Sequence, residues 1–461
     1  MKTTAICLAA GKGTRMKSTL PKVLHKVGGR TMLEQVLGEV KASGVEEQCI
    51  VVGHGAAEVQ AALGEGYTFA LQQPQLGTGH CVQCAIPNVP ADTDAVLIVC
   101  GDTPLLRAET LTALREKFAA GGAAGIVLTA VMPDPTGYGR IIRDAAGSVC
   151  AIVEEKDAAP EQKAVREINT GAYIFAYAEL CDAIGRLDNN NAQHEYYLTD
   201  VIKLLAAAGC RVDTLVVDDP VETMGVNDRV QLAEAAAELR RRKNRELMLS
   251  GVTIIDPASC YIEQDVQVGQ DTVIYPHCQL RGNTVIGAGC VLEGECILTD
   301  TVVGDGSHLI KVVADRAEIG AHANIGPFAY LRPGTRLADE VKVGDFAEIK
   351  NARIGKGSKI PHLSYIGDAE VGEHVNIGCG TITCNYDGVN KHLTKIGNNV
   401  FIGSNTNLVA PVEVADDAFV GAGSTITTPV EAGALAVERG KRRDIPRWNL
   451  EQSPRARQKK D

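Results

Sequence analysis

The sequence predicts two folded domains of different class: an α/β domain with a Rossmann-like, mostly parallel sheet, then a parallel β-helix built of hexapeptide repeats, the two joined by a long helix. Three observations predict it. Apolar strand-like runs alternate with helical patterns up to residue 226, residues 227–250 hold neither Gly nor Pro, and beyond Gly251 aliphatic side chains recur at every sixth position. The expected organisation is 1–226, a helical linker at 227–250, the β-helix at 251–440 and a basic tail at 441–461. With 461 residues the chain is long enough to bury at least two cores, and 48 glycines against 4% aromatic residues point to a fold rich in tight turns.

In the first domain the clearest strands are residues 4–9, 48–52, 95–100 and 126–131. The first helix is set by Thr31 and Glu34 at capping-box spacing, by Leu33, Val36, Leu37 and Val40 on one face, and by Gly44 beyond its end. In the linker the basic run 240–243 reads as a solvated helix face rather than a nucleic-acid patch. The six-residue period begins with Ile262, Val268, Ile274, Leu280, Ile286, Leu292 and Leu298 and resumes from Ile319 to Ile377 and from Ile396 to Ile426. Each unit is one short strand and a turn, the aliphatic pointing inward and a following glycine, as in Val343-Gly344, relieving the corner. Residues 379–392 break the period and should protrude as a loop, where function concentrates. Disorder is the default expectation for the tail.

A formal net charge of −11 argues against general binding to nucleic acid or anionic membranes. The apolar run 5–10 is shorter than a signal-peptide core and nothing approaches a membrane span, so a cytoplasmic protein without membrane insertion is expected. The 14 cysteines are scattered singly and read as reduced and mostly buried; Cys81 and Cys84 fall one helical turn apart and read as packing.

Candidate chemistry begins where the first strand runs into Gly11-Lys12-Gly13-Thr14-Arg15-Met16, with Pro21-Lys22 shortly after. Glycines let backbone amides approach a phosphate, and Arg15 and Lys22 supply charge to hold a triphosphate; neither the P-loop nor the GxGxxG spacing is met. Gln72-Gln73-Pro74-Gln75-Leu76-Gly77-Thr78-Gly79 resembles the base-reading segment of sugar-1-phosphate nucleotidyltransferases, in which an amide such as that of Gln72 is able to pair with a uracil edge through both donor and acceptor. Asp102 follows a buried strand and so stands where open α/β sheets bind ligands. In the β-helix, Arg332 and Lys350 are eighteen residues apart, one three-sided coil, and stack on one face suited to phosphate. His362 falls on another face, and on position alone a structural histidine is the commoner reading.

The string Leu8-Ala9-Ala10-Gly11-Lys12-Gly13-Thr14-Arg15-Met16, then Leu20-Pro21-Lys22, resembles the signature of sugar-1-phosphate nucleotidyltransferases. The resemblance implies an α/β nucleotidyltransferase domain in which Leu8, Ala9, Ala10, Gly11, Lys22, Gln72, Gly77, Thr78, Gly101, Asp102, Gly139, Glu154, Asn169 and Asn227 bind the nucleotide sugar. It further implies that Arg15 and Lys22 are catalytic and that Asp102 and Asn227 hold Mg²⁺.

Taken end to end, the chain resembles the bacterial bifunctional N-acetylglucosamine-1-phosphate uridyltransferase and glucosamine-1-phosphate acetyltransferase family. That implies a left-handed β-helix, a homotrimer, and two reactions: acetyl transfer from acetyl-CoA to glucosamine-1-phosphate, then UMP transfer from UTP to N-acetylglucosamine-1-phosphate with release of pyrophosphate. By the same resemblance His362 is the general base, Arg332, Lys350, Tyr365, Asn376, Asn385 and Tyr386 hold the amino-sugar phosphate, and Cys379, Asn385, Tyr386, Ser404, Ala422 and Arg439 contact acetyl-CoA. Two residues depart from the family pattern: Cys379 stands where alanine is common, and Thr103 where a small apolar residue is usual. A single-activity nucleotidyltransferase with a structural β-helix, and a non-catalytic exchange-factor subunit of the same two-domain build, are the alternatives.

Overall fold

A computed structural model describes residues 1–451. They divide into two compact units whose boundary falls between Arg242 and Lys243.

The elements of the first unit are β1 (Thr3–Leu8), the short hairpin β2 (Lys26–Val27) and β3 (Arg30–Thr31), α1 (Met32–Ala42), β4 (Glu47–Val52), α2 (Ala56–Leu63), β5 (Thr68–Leu71), α3 (Thr78–Ala85), β6 (Ala95–Cys100), α4 (Ala108–Ala119) and β7 (Gly125–Val131). They continue with β8 (Arg140–Arg143), β9 (Val149–Val153), α5 (Pro160–Lys163), β10 (Glu167–Ala176), α6 (Tyr177–Ile184), α7 (Asp200–Ala207), β11 (Val212–Val216) and the start of α8 (Arg229–Leu249). The main sheet runs β11-β7-β10-β6-β1-β4-β5, with β8 and β9 attached beside β10. β10 is antiparallel to β6 and β7, and the other pairs along this path are parallel. Successive β1 side chains enter opposite cores, Ala5 and Cys7 on one side and Ile6 on the other, so the run is apolar throughout, as a strand covered on both faces must be. The predicted capping box is present at α1: Thr31 accepts from the Glu34 amide at 3.1 Å, and the Glu34 carboxylate accepts from the Thr31 amide at 2.7 Å.

From β1 the chain moves to β4 and β5 on one side, then returns to β6 on the other side of β1. This reversal leaves a crevice beyond the C-terminal ends of β1 and β6, where parallel sheets bind ligands. Leu8 and Cys100 end these strands side by side.

Helix α8 spans the boundary. Its first half packs Ala235 and Leu239 against Met32 and Leu105 of the first unit, while Leu247 joins the core of the second. The basic run is not wholly solvated: Arg242 donates to the Leu105 carbonyl at 2.7 Å and pairs with Glu238 at 2.7 Å, and the Lys243 side chain is buried beside Glu246. Within the run Arg241 stays exposed, whereas Arg242 is partly buried and Lys243 buried.

The second unit is a stack of short parallel strands from Thr253–Ile254 to Leu435–Ala436, and among the described residues its strands form two sheets of 11 and 17 strands. Tyr261 pairs with Gln279 one coil on, at eighteen residues, but Val285 pairs with Val302 at seventeen. The aliphatics of the period form one continuous core, with Val268 partly buried at its edge. The glycine after the aliphatic serves close stacking rather than backbone conformation: at Gly344 a β-carbon would lie 1.8 Å from the Pro361 carbonyl oxygen of the next coil.

The expected loop over residues 379–392 is corrected to a shorter one. These residues do not all leave the coil: Ile382–Cys384 is a strand, paired with Asn407–Val409, and Thr383 occupies the inward position, buried like the aliphatics. Protrusion begins only beyond Cys384. The Thr383 hydroxyl accepts from the Gly367 amide at 2.8 Å and donates to the Gly367 carbonyl at 3.0 Å, so a polar residue is accommodated in the core.

The cysteines are free; seven, including Cys7, Cys81 and Cys278, are buried, the other seven, including Cys84 and Cys379, are partly buried, and none is exposed. Trp448–Glu451 is helical, and the remainder of the basic tail, 452–461, lies outside the described residues.

Candidate active sites

The crevice beyond β1 and β6 holds a cavity of about 430 Å³. Of the sequence-predicted residues, Leu8, Ala9, Ala10, Gly11, Lys22, Gln72, Gly77, Thr78 and Asp102 line it. Gly13 has a left-handed backbone (φ 59°), and a β-carbon there would lie 2.5 Å from the Lys22 β-carbon, so this glycine is what lets Lys22 cross the loop. The Lys22 ammonium donates to the Asp102 carboxylate, and to the Asn227 amide oxygen at 3.1 Å. Two hard oxygen donors from separate segments thus converge on one cationic point.

Arg15 is not among the cavity residues; it is exposed on the single turn Thr14–Met16. Gly139, Glu154 and Asn169 form a second cluster: the Asn169 backbone N–H donates to the Gly139 carbonyl at 2.9 Å, and a β-carbon on Gly139 would sit 3.6 Å from the Glu154 carboxylate. Burial pushes the Glu154 carboxyl up, against a 3.2 Å hydrogen bond donated by the Thr199 hydroxyl. The Cys100 thiol, pushed up to about 12 by burial, lines the cavity and donates to the Gly171 carbonyl in this cluster's strand, at 3.6 Å. Gly101 bonds back to the Leu8 carbonyl at 3.0 Å and fixes the turn into Asp102. The sequence reading missed Gln75, whose amide donates to the Ala10 carbonyl at 2.6 Å, and Glu195, which also lines the cavity. Gln75 lies inside the segment that holds Gln72 and Gly77, which was its only signal.

In the β-helix, Leu331 pairs with Ile349, so Arg332 and Lys350 follow one above the other as the spacing required. Arg332 is paired with Glu348 at 2.8 Å. The neighbouring Lys391 ammonium pushes the Lys350 ammonium down, which places a third cation from the protruding loop at this face; nothing in the period signalled it. Tyr365 follows Glu348 one coil on, its hydroxyl folded over Gly367. Asn385 is buried, and its amide donates to Asp368, which also accepts from Asn351 at 2.6 Å. Tyr386 is exposed, its hydroxyl donating to the Gly388 carbonyl at 2.6 Å.

His362 and Asn376 lie on the other sheet: Asp345 pairs with His362, and Lys359 with Asn376. The amides of Leu363, Gly380, Asn405 and Gly423 donate in turn to the carbonyls of Asp345, His362, Cys379 and Ser404. Asp345, His362, Cys379 and Ser404 are therefore one column on successive coils, and Ala422 continues it above Gly403. The Arg439 guanidinium reaches back to within 3.0 Å of a β-carbon position on Gly421. Four residues that the family resemblance assigned to acetyl-CoA thus stand in line beyond His362. Asp345, 2.6 Å from His362 Nδ1, was missed because the two are seventeen residues apart and the expected coil was eighteen.

The model of the MobA-like NTP transferase domain matches residues 5–193, and that of the bacterial transferase hexapeptide, six repeats, matches residues 393–428. The bifunctional protein GlmU of Heliobacterium modesticaldum is 54% identical over 440 residues, spanning 95% of this chain and 96% of its own. Those of Trichlorobacter lovleyi and Pelobacter propionicus are 51% and 50% identical over 449 residues, 97% of this chain and 98% of each relative. The chain belongs to the bifunctional GlmU family. It is accordingly a bifunctional transferase, with the uridyltransferase and acetyltransferase activities of the GlmU family. Among the described residues no helix is long and apolar enough to cross a membrane.

Proposed function

We propose that the two activities are divided between the two sites. Acetyl-CoA lies along the column Cys379, Ser404, Ala422 and Arg439, and the amine of glucosamine-1-phosphate attacks its thioester carbonyl while His362 Nε2 takes the proton. The observation that carries this reading is the column itself, which runs in register from Asp345 and His362. Asp345 accepts from Nδ1–H and so leaves Nε2 free as the base. Arg332, Lys350, Tyr365, Asn385 and Tyr386 hold the sugar phosphate. Because this set and His362 occupy different faces of the prism, two subunits of a homotrimer complete each site, one supplying each face.

In the first unit N-acetylglucosamine-1-phosphate attacks the α-phosphate of UTP in line, and pyrophosphate leaves. Gly11 and its neighbours bring backbone amides to the triphosphate, Lys22 and Arg15 neutralise developing charge, and Gly139, Glu154 and Asn169 hold the sugar. Asp102 and Asn227 suit Mg²⁺, which takes few protein oxygens and neutralises phosphate charge when bound. In this reading the Lys22 ammonium, which both oxygens now contact, turns to the triphosphate. The negative charge and the absence of a membrane-spanning helix among the described residues accord with a cytoplasmic enzyme acting on small molecules, without nucleic-acid partners.

The test is purified protein with acetyl-CoA, glucosamine-1-phosphate, UTP and Mg²⁺, with free CoA, pyrophosphate and UDP-N-acetylglucosamine measured. With N-acetylglucosamine-1-phosphate supplied separately as the acceptor for uridyl transfer, His362→Ala should remove CoA release alone and Asp102→Ala pyrophosphate release alone; joint loss in a folded variant overturns the division.

A further inference from the structure

Deepening the reading of Gln72 as the base-contacting residue, on which it rests, we infer that His80 determines nucleotide specificity by fixing which atom Gln72 presents. The Gln72 side chain is 5% exposed and lines the nucleotide cavity. Its amide nitrogen lies 2.8 Å from the Gly77 carbonyl oxygen and 3.3 Å from His80 Nδ1. A carbonyl oxygen only accepts, so the NH₂ group must face Gly77. His80 Nδ1 then accepts the second N–H, in the neutral tautomer whose Nε2–H faces the Cys84 sulfur at 3.7 Å. The His80 ring is further held against Tyr196, centroids 6.4 Å apart.

Both amide hydrogens are therefore taken by protein, and the group left for the ligand is the amide oxygen, an acceptor. This narrows the sequence expectation, in which Gln72 offered donor and acceptor alike. Uracil presents an N3–H between two carbonyls and meets that oxygen as a donor. Cytosine presents an unprotonated N3 at the same place, acceptor against acceptor. His80 touches no base in this account; it is a positioning residue that withholds a donor, and so acts against cytosine more than it acts for uracil.

Uridyl and cytidyl transfer should be compared as kcat/KM for UTP and CTP in the full-length enzyme, with Gln72→Ala run in parallel. His80→Leu, which removes the acceptor and frees one amide hydrogen, is expected to lower the UTP/CTP ratio about tenfold or more, chiefly by improving CTP, with KM moving more than kcat. His80→Asn, which keeps an acceptor near the Nδ1 position, should recover most of the ratio. His80→Ala carries the same reading should the leucine variant not fold, with acetyl transfer reporting on the intact chain. An unchanged ratio, or an equal loss for both nucleotides that asparagine does not rescue, overturns the inference. If Gln72→Ala collapses the ratio while His80→Leu does not, only the role of His80 fails; if Gln72→Ala leaves it intact, the reading of Gln72 fails with it.

Discussion

His362 Nδ1 and the Asp345 carboxylate lie 2.6 Å apart on adjacent coils of the β-helix. The contact holds the Asp345 carboxyl below the usual carboxylate range and fixes the tautomer that leaves Nε2 free. Asp345→Asn, which can donate to Nδ1 and so select the wrong tautomer, should lower the kcat of acetyl transfer by roughly 10- to 100-fold and leave uridyl transfer unchanged. Separate assays on one preparation decide it: CoA release from acetyl-CoA with glucosamine-1-phosphate, and pyrophosphate release from UTP with N-acetylglucosamine-1-phosphate.

Removing the imidazole itself should cost more. His362→Ala is expected to lower acetyl transfer by about 10²- to 10⁴-fold, the range of general-base catalysis, with KM for acetyl-CoA little changed because the column proposed to hold acetyl-CoA begins beyond it. Steady-state kinetics at saturating glucosamine-1-phosphate measure both.

At the nucleotide site, Asp102→Asn removes the charge that faces Lys22 while keeping an oxygen in place. Uridyl transfer should then need more Mg²⁺ for half-maximal rate, about tenfold or more, whereas acetyl transfer stays metal-independent. A Mg²⁺ titration of the two activities separates them.

Glu154 is a conflict between stability and function. Burial raises its carboxyl above the ordinary range, so the ionised form destabilises the fold at neutral pH. As pH falls through the raised value the folded state takes up the proton first, and that destabilisation fades until, below about pH 4.3, the unfolded chain is protonated too. Glu154→Gln should therefore melt higher than the parent at pH 7, with the difference shrinking toward pH 4, while uridyl transfer falls about 10- to 100-fold through loss of a charged hydrogen-bond acceptor. Thermal melts across pH 4 to 8 check the sign.

In the β-helix core, restoring the aliphatic of the period should do harm. Thr383→Val is nearly isosteric but leaves the Gly367 amide without its 2.8 Å acceptor. A loss of about 1–3 kcal/mol is expected, measured by denaturant unfolding of the full chain.

The period of six and the alternation of strand and helix were enough to set both fold classes, because each reports which side chains must leave water, and that demand is written locally. The same holds for the α1 capping box, whose partners are three residues apart. The Gly11-to-Lys22 segment and Asp102 were legible as chemistry because a glycine loop and a strand-end carboxylate carry their meaning in their immediate neighbours. Tertiary structure decided what depends on distance along the chain. Asp345 meets His362 because that coil is seventeen residues long, Thr383 stays inside because Gly367 needs an acceptor, and Lys391 reaches Lys350 only because the loop folds back. Gln72 was legible as an amide, but that His80 and Gly77 consume its hydrogens is a property of three residues closing on each other in space. Local sequence determines what a segment buries and which groups it carries; only packing determines which of those groups are already satisfied and which are left free to meet a substrate.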